Sequence, residues 1–184
     1  DLPRLLRVPV QAVAMPRYDE LQKGLAENRF TLAWVHPAHH AIRAMVQNGY
    51  RLAALTKGFT EYRASFFVAK GSSIKSLADL KGKKIGAPDE DSITSVILRA
   101  TLRDGGLGAE TPVSYVRFQD AVPFMVEHGL VAAGVSASRG VIKEWQDKGG
   151  TVVASSKPVP IKQLLVSGKA PAGLLERVTE YFTG

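Results

Sequence analysis

The feature that most constrains the fold of this chain is the regular alternation of short apolar runs with amphipathic stretches. Ile93, Val96, Ile97 and Ala100 recur at the spacing of one helix face, and Gly105 follows where such a helix should end. Between the amphipathic stretches lie short runs rich in β-branched and aromatic residues, which are typical of strands. Strands that alternate with helices favour an α/β fold with largely parallel sheets.

The predicted elements follow this alternation along the whole chain. Strands are predicted at 8–15, 30–35, 51–56, 62–69, 84–87, 113–118, 130–135, 151–154 and 161–166, and helices at 16–28, 38–47, 93–104, 120–128, 138–148 and after Pro171. The nearly continuous apolar character of 30–35 predicts a strand buried on both faces. We expect two lobes, one formed by 1–61 with 158–184 and the other by 62–157.

Composition excludes several kinds of site and partner. The chain has no cysteine, so it has no disulfides, thiolate metal sites or cysteine nucleophiles. Its 24 Lys and Arg against 17 Asp and Glu give a net charge of +7, but the cations are scattered. Only Lys81, Lys83 and Lys84 cluster, and no aromatic residues lie between them, so we predict no nucleic-acid partner. No apolar run is long enough to predict a membrane-spanning helix.

Motifs for catalysis, metals and cofactors are missing from the sequence. It contains no nucleophile elbow, phosphate loop or dinucleotide-binding glycine pattern. His36, His39 and His40 have no carboxylate at a matching spacing, so a structural or exposed role is favoured over metal binding. We therefore predict neither a metal nor a cofactor. Trp34 and Trp145 are interpreted as core residues.

Several segments carry a resemblance to a known family. Residues 72–86, SSIKSLADLKGKKIG, resemble a stretch of the bacterial type II periplasmic binding proteins. Residues 18–21 (YDEL), 32–38 (LAWVHPA) and 62–65 (YRAS) look like the phosphonate and phosphate branch of the ABC importer binding proteins. The matching segments keep their order over nearly the whole chain.

The resemblance implies a fold and a function. The fold is two α/β lobes with mixed, mostly parallel sheets that close on a small polar or anionic solute. The function is delivery of that solute to the membrane subunits of an ABC transporter, without enzyme activity. The location is the periplasm or another extracytoplasmic space, and we expect that this chain does not include the export signal. The resemblance also implies that a first strand and helix before Val8 are missing, so we expect a homodimer or a domain swap to cover the exposed edge.

Ligands of such sheets bind beyond the carboxyl ends of the strands, where helices begin. Three predicted strands are followed by polar residues at such a point, and two tyrosines match the aromatic cleft residues of the resembling family. The predicted ligand-binding residues are Tyr18, His36, Pro37, Tyr62, Ser65, Asp91, Ser92, Thr94, Gln119 and Asp120.

The chain departs from the family pattern at the positions expected to hold an anion. Where relatives have Ser-Thr-Ser-Gly, residues 91–94 are Asp-Ser-Ile-Thr, and a carboxylate at a helix N-terminus would occupy the place of an oxyanion. Gln119 replaces a histidine, while Ala132 and Ser136 replace an acidic pair. These departures predict a different, less anionic ligand or a loss of tight binding. The alternative interpretation is that 89–91 and the hydroxyls of Ser92 and Thr94 only cap a helix.

Two other functions remain open. The first is the periplasmic ligand-sensing domain of a signalling receptor, since such domains share this fold. The second is an enzyme on the same scaffold, for which Asp91 or Asp120 would be the proton-transfer residue.

Overall fold

The computed structural model describes residues 2–108 and 110–184. Contacts between residues divide the chain into two compact units. Unit 1 comprises Asp1–Glu61 and Pro160–Gly184, and unit 2 comprises Tyr62–Val159. Within the described ranges, no helix combines the length and the hydropathy that a membrane span requires.

Helices and strands alternate along most of the chain. The helices are α1 (Leu2–Leu6), α2 (Tyr18–Ala26), α3 (Ala38–Asn48), α4 (Ile93–Asp104), α5 (Ala121–Glu127), α6 (Arg139–Asp147) and α7 (Leu174–Thr183). The strands are β1 (Leu32–Val35), β2 (Tyr50–Leu55), β3 (Ser65–Val68), β4 (Ile85–Ala87), β5 (Val113–Tyr115), β6 (Ala133–Ser136), β7 (Thr151–Ser155) and β8 (Gln163–Ser167).

Unit 1 contains a three-stranded sheet in the order β1-β8-β2. Strand β8 is antiparallel to both of its neighbours, with Leu32 opposite Val166 and Tyr50 opposite Ser167. Strands β1 and β2 therefore run in the same direction and are joined through α3, as the strand-helix-strand pattern indicates. They are not neighbours, because β8 lies between them.

The predicted mixed sheets are confirmed, but the expectation of mostly parallel pairing is wrong. Parallel pairing occurs where β4 meets β5 and β6, whereas β3 is antiparallel to β6 and β7. The local sequence predicts that β1 and β2 run in the same direction. It does not predict that β8, from the C-terminal part of the chain, inserts between them. Antiparallel pairs therefore outnumber parallel ones in the described sheets.

Helices cover both faces of the sheet of unit 1. On one face, Leu25 of α2 and Ala41 of α3 pack with Val35 and Leu165. On the other face, α1 and α7 form a smaller core with Ala53, Val166 and Val178 among its residues. Helix α3 ends at Gly49, whose φ of +73° is the left-handed conformation that glycine adopts without strain.

Two predictions for unit 1 are wrong. Residues 8–17 form neither helix nor strand, and Val8, Val10 and Val13 are exposed, because no described strand pairs with this segment. Strand β1 is not buried on both faces. Its buried residues Ala33 and Val35 alternate with Trp34, whose surface is 58% exposed.

Unit 2 contains a five-stranded sheet in the order β5-β4-β6-β3-β7. Successive residues of a strand point to opposite faces, so Phe66 enters the core under α4 while Phe67 packs beneath α5 and α6. The second core includes Trp145, whose indole Nε1 donates a hydrogen bond to the carbonyl oxygen of Val68 at 2.9 Å. The prediction that Trp145 is a core residue is confirmed.

The segment after β3 contains a short 3₁₀ turn, Ala78–Leu80. The Asp79 carboxylate accepts hydrogen bonds from the backbone N–H of Lys75 at 2.9 Å, and from the N–H and hydroxyl of Ser76 at 3.0 Å each. These hydrogen bonds favour the ionised form of the Asp79 carboxyl group. The Lys75 N–H, followed by the Ser76 hydroxyl and N–H, lowers the pKa of Asp79 below its usual value.

Candidate functional site

The parallel strands of unit 2 end at one edge of its sheet. Strands β4, β5 and β6 run in the same direction, and α4, α5 and α6 follow them at that edge. Antiparallel β3 begins at the same edge, with Ser65 opposite Ser136 on β6 and Ser155 on β7. We call this polar sheet end the hydroxyl edge, and its residues are Tyr62, Ser65, Ser92, Thr94, Gln119 and Ser136.

Tyr62 and Thr94 are joined by a hydrogen bond between their hydroxyl oxygens, which lie 3.0 Å apart. Thr94 is fully buried in the first turn of α4, and Tyr62 is half-buried. The backbone of Tyr62 is fixed by a reciprocal pair of hydrogen bonds with Val159. The structure therefore brings together two predicted ligand-binding residues that are 32 positions apart in the sequence.

A second pair links the loop after β5 to the end of β6. The hydroxyl of the fully buried Ser136 donates to Oε1 of Gln119 at 3.2 Å, and the N–H of Ala137 donates to the same oxygen at 3.4 Å. The N–H of Ser138 donates to Oγ of Ser136 at 3.1 Å. Sequence reasoning noted Ser136 only as a missing acid. Ser65 and Ser136 lie opposite each other because of the register between β3 and β6, for which the sequence carries no local signal.

The N-terminus of α4 is capped by Ser92, whose Oγ accepts a hydrogen bond from the N–H of Ser95 at 3.2 Å. The interpretation that Ser92 is a capping hydroxyl is confirmed, whereas none of the acids of 89–91 supplies the N-cap side chain. All three acids are exposed, and Asp89 instead accepts the N–H of Asp91 at 2.9 Å. No carboxylate therefore occupies the N-cap position of α4.

A second serine caps the N-terminus of α6. Oγ of Ser138 accepts a hydrogen bond from the N–H of Val141 at 3.3 Å. Helix N-termini carry partial positive charge, so α4 and α6 both favour negative charge near the hydroxyl edge. The predicted residue Asp120 precedes α5, is exposed and makes no side-chain capping bond.

Unit 1 has a corresponding edge, where β1 and β2 end and β8 begins. The exposed His36 and the half-buried Pro37 follow β1, and Pro37 is the N-cap residue of α3. The side chain of Tyr18, which begins α2, stacks on His40 in the first turn of α3 with 4.7 Å between ring centroids. The three predicted residues of unit 1, Tyr18, His36 and Pro37, therefore lie near the start of α3.

Sequence reasoning missed an aromatic and cationic group at the same edge of unit 1. Trp34, interpreted as a core residue, is 58% exposed, and its Nε1 donates to the hydroxyl of Thr56 at 3.1 Å. The Lys162 ammonium lies 3.5 Å from the ring centroid of Phe59 and 5.7 Å from that of Trp34. We call these four residues the Trp34 cluster. The alternation of Trp34 with two small or branched apolar residues in a short strand was the signal that could have indicated its exposure.

The charged side chains near the hydroxyl edge are exposed, and one of them, Arg63, donates a hydrogen bond to the carbonyl oxygen of Ser156 at 3.3 Å. In ranges 2–108 and 110–184, no three His, Asp or Glu side chains are placed to hold a metal ion together. The amide oxygen Oε1 of Gln163, buried at the start of β8, has no hydrogen-bond partner among the described residues. The buried and half-buried side chains of the hydroxyl edge are therefore uncharged, while Arg63 is a cation at that edge and Lys162 is a cation in unit 1.

The sequence as a whole matches one family model. The family is described as "ABC transporter, phosphonate, periplasmic substrate-binding protein", and the match covers residues 1–184. The chain belongs to this phosphonate-binding family. Its members are extracytoplasmic solute-binding components of ABC importers, which agrees with the predictions of a small solute, of transporter membrane subunits as partners and of a protein that is not an enzyme. No curated protein sequence matches the chain.

Solved structures of other binding proteins share the fold. XAC2383 from Xanthomonas citri bound to ATP has a TM-score of 0.73 and 17% identity, over 97% of this chain and 73% of that one. PhnD1 from Prochlorococcus marinus, in complex with methylphosphonate, has a TM-score of 0.58 and 16% identity, over 97% and 73%. The aliphatic sulphonate binding protein SsuA from Escherichia coli has a TM-score of 0.60 and 18% identity, over 90% and 57%. The predicted type II periplasmic binding protein fold is confirmed.

Proposed function

We propose that this member of the phosphonate-binding family binds a small, singly charged organic oxyanion at the hydroxyl edge and delivers it to an ABC importer. Units 1 and 2 are the two lobes of this binding protein. The observation that supports the proposal is the convergence of uncharged hydrogen-bonding side chains with two serine-capped helix N-termini at one sheet edge. Hydroxyl, amide and backbone donors satisfy the oxygens of sulfonate or phosphonate groups without a buried counter-charge.

The charge of the ligand follows from the acids near α4. Asp89, Glu90 and Asp91 are exposed just before its N-terminus, where they repel anions through solvent. This repulsion grows in proportion to the ligand charge, so these three acids repel a doubly charged anion twice as strongly as a singly charged one. Methanesulfonate carries one negative charge, while methylphosphonate loses a second proton near neutral pH. The proposed ligand class is therefore sulfonate-like, similar to the aliphatic sulphonate after which the SsuA protein of Escherichia coli is described.

Isothermal titration with methanesulfonate, methylphosphonate and inorganic phosphate tests the proposal. We expect methanesulfonate to bind most tightly and methylphosphonate to gain affinity as the pH is lowered, because protonation removes its second charge. Ser65→Ala should weaken methanesulfonate binding severalfold, since it removes a half-buried hydroxyl of the hydroxyl edge. The matched control is Thr151→Val, which removes an exposed hydroxyl of β7 at the opposite edge of the same sheet. The absence of binding by all three anions would refute the proposal.

We also propose that the outer edge of β1 pairs with a further strand. Strand β1 is hydrogen-bonded to β8 and to no other described strand, so its outer row of backbone groups can accept a partner. A homodimer or a domain swap, as predicted from the sequence, would supply that strand. Light scattering coupled to size-exclusion chromatography tests this proposal, and a monomer at all concentrations up to about 100 µM, above the range expected for a specific interface, would refute it.

A further inference from the structure

Residues 8–14 of unit 1 form an uncharged segment whose side chains are all exposed. Its three valines, Val8, Val10 and Val13, expose 53%, 40% and 55% of their surfaces. Its backbone forms no hydrogen bond with any residue of the ranges that the structure describes. A segment rich in β-branched residues fits the pleated surface of a sheet. The segment therefore has the composition of a strand, but no described strand of its own copy pairs with it.

The outer edge of β1 is open to pairing, whereas the other edge of the same sheet is protected. Strand β1 contains no charge and no proline, and its register with β8 is continuous. Its residue Trp34 is 58% exposed, so a further strand would cover apolar surface as well as pair with backbone groups. Strand β2, at the other edge, carries Arg51 and a shift in register between Leu52 and Ala54, and charges and bulges discourage edge pairing.

Pro9 determines which residues of the segment can face β1. The N–H and C=O of one residue in a strand point to the same side, and those of the next residue point to the opposite side. Proline has no N–H, so it is tolerated where that group would point away from the partner strand. Gln11 and Val13 share the orientation of Pro9, so the backbone groups of Val10 and Ala12 are the ones that face β1.

We propose that residues 8–14 of one copy pair, as a strand, with the outer edge of β1 in a second copy, and that the exchange is reciprocal. Both surfaces belong to the same chain, so two identical contacts related by a two-fold axis close a dimer. A valine beside an aromatic ring on the neighbouring strand is a favourable pair, and Trp34 gains such a neighbour. The inference rests on the proposed pairing of β1, because it names the strand and the copy that supply it.

Two proline variants test the inference by size-exclusion chromatography with light scattering. Ala12→Pro removes an N–H that faces β1, whereas the matched control Gln11→Pro removes one that points away. Neither variant removes a backbone hydrogen bond of the described single copy, so both should fold. We expect dimers of the intact chain and of Gln11→Pro at about 100 µM. Ala12→Pro should raise the dimer dissociation constant at least about tenfold, because each dimer contains the change in both contacts.

Tryptophan fluorescence reports whether the dimer forms at β1. Trp145 is buried in unit 2, whereas Trp34 is exposed on β1 until a strand covers it. Dilution from about 100 µM to about 1 µM should therefore move the emission of the intact chain and of Gln11→Pro to longer wavelength. The emission of Ala12→Pro should stay at the longer wavelength throughout. The shift should disappear in Trp34→Phe, which keeps an aromatic ring but removes the exposed indole.

The outcomes separate this inference from the other proposals. A dimer that withstands Ala12→Pro, or that is weakened equally by Gln11→Pro, would overturn the inference while leaving the pairing of β1 with a different strand in place. A dimer whose emission does not change on dilution would overturn it as well. A monomer at all concentrations up to about 100 µM would overturn both the inference and the pairing of β1. Oxyanion binding at the hydroxyl edge is decided separately by the methanesulfonate titration.

Discussion

The hydrogen bond between Tyr62 and Thr94 should contribute a measurable coupling to the stability of unit 2. Tyr62→Phe leaves the fully buried Thr94 hydroxyl without its partner, which should cost about 2 kcal/mol. Thr94→Val should cost about 1 kcal/mol, because the half-buried Tyr62 hydroxyl can turn to water. The double variant leaves neither hydroxyl without a partner. We therefore expect a total loss of stability near 2 kcal/mol and a coupling free energy of about 1 kcal/mol.

Urea unfolding measures this coupling when the signal is confined to unit 2. The chain has two tryptophans, of which Trp34 lies in unit 1 and Trp145 in the core of unit 2. In a Trp34→Phe background, the fluorescence of Trp145 therefore follows the unfolding of the unit that holds the hydroxyl pair. Free energies come from linear extrapolation in urea, provided that the slopes of the variants agree.

The result that would refute this reasoning is additivity. If the two single changes sum to the double change within about 0.3 kcal/mol, the hydroxyls do not interact in the folded protein. A negligible effect of Tyr62→Phe would show that the Thr94 hydroxyl has another partner. Thr151→Val serves as the control, because that exposed hydroxyl should change stability by less than about 0.5 kcal/mol.

Three further predictions follow from individual contacts. The lowered pKa of Asp79 means that its ionised form stabilises the fold above the unfolded pKa near 4, and that this contribution is lost as the pH falls towards the lower folded value. Urea midpoints of Asp79→Asn should therefore approach those of the unchanged protein between about pH 5 and pH 2, and a constant difference would contradict this. Gly134→Ala should destabilise by about 1–3 kcal/mol in thermal melts, because its Cβ would lie 2.5 Å from the Phe67 ring, whereas Gly140→Ala on an open helix surface should not destabilise. Asp91→Asn should raise methanesulfonate affinity about twofold at low salt and not at 1 M salt, since the repulsion acts through solvent, and an equal gain at both would contradict it.

Local elements could be predicted because their signals lie within a few residues. The Ser92 hydroxyl and the apolar spacing after it define the start and the buried face of α4, and Gly49 defines the end of α3. The insertion of β8 could not be predicted. It depends on pairing Leu32 with Val166, and no local pattern reports contacts across such a separation.

In the candidate site, too, some features could be predicted from the sequence and others could not. That Thr94 and Gln119 follow strand ends could be predicted from the order of elements, because the carboxyl ends of parallel strands share an edge. The hydrogen-bond partners of these residues could not be, since they depend on the distance between α4 and the start of β3, and between the loop after β5 and the end of β6. Trp34 was wrongly predicted to be a core residue because it is apolar. The prediction did not take into account that side chains of a half-buried strand alternate between the two faces of the sheet.

The contact between Gln119 and Ser136 gives a physical explanation for two departures that look unrelated in the sequence. In the family that the chain resembles, a histidine stands at the position of Gln119 and an acidic pair at the positions of Ala132 and Ser136, and a histidine next to a carboxylate favours a charged pair. Here the two positions touch, and Ser136 is fully buried. A carboxylate at Ser136 beside Gln119 would be a buried charge without a counter-ion, which costs several kcal/mol. Glutamine and serine together form a neutral, hydrogen-bonded pair, so Gln119 in place of the histidine is compatible with the uncharged Ser136. This contact between Gln119 and Ser136 therefore places no charge in the buried part of the hydroxyl edge.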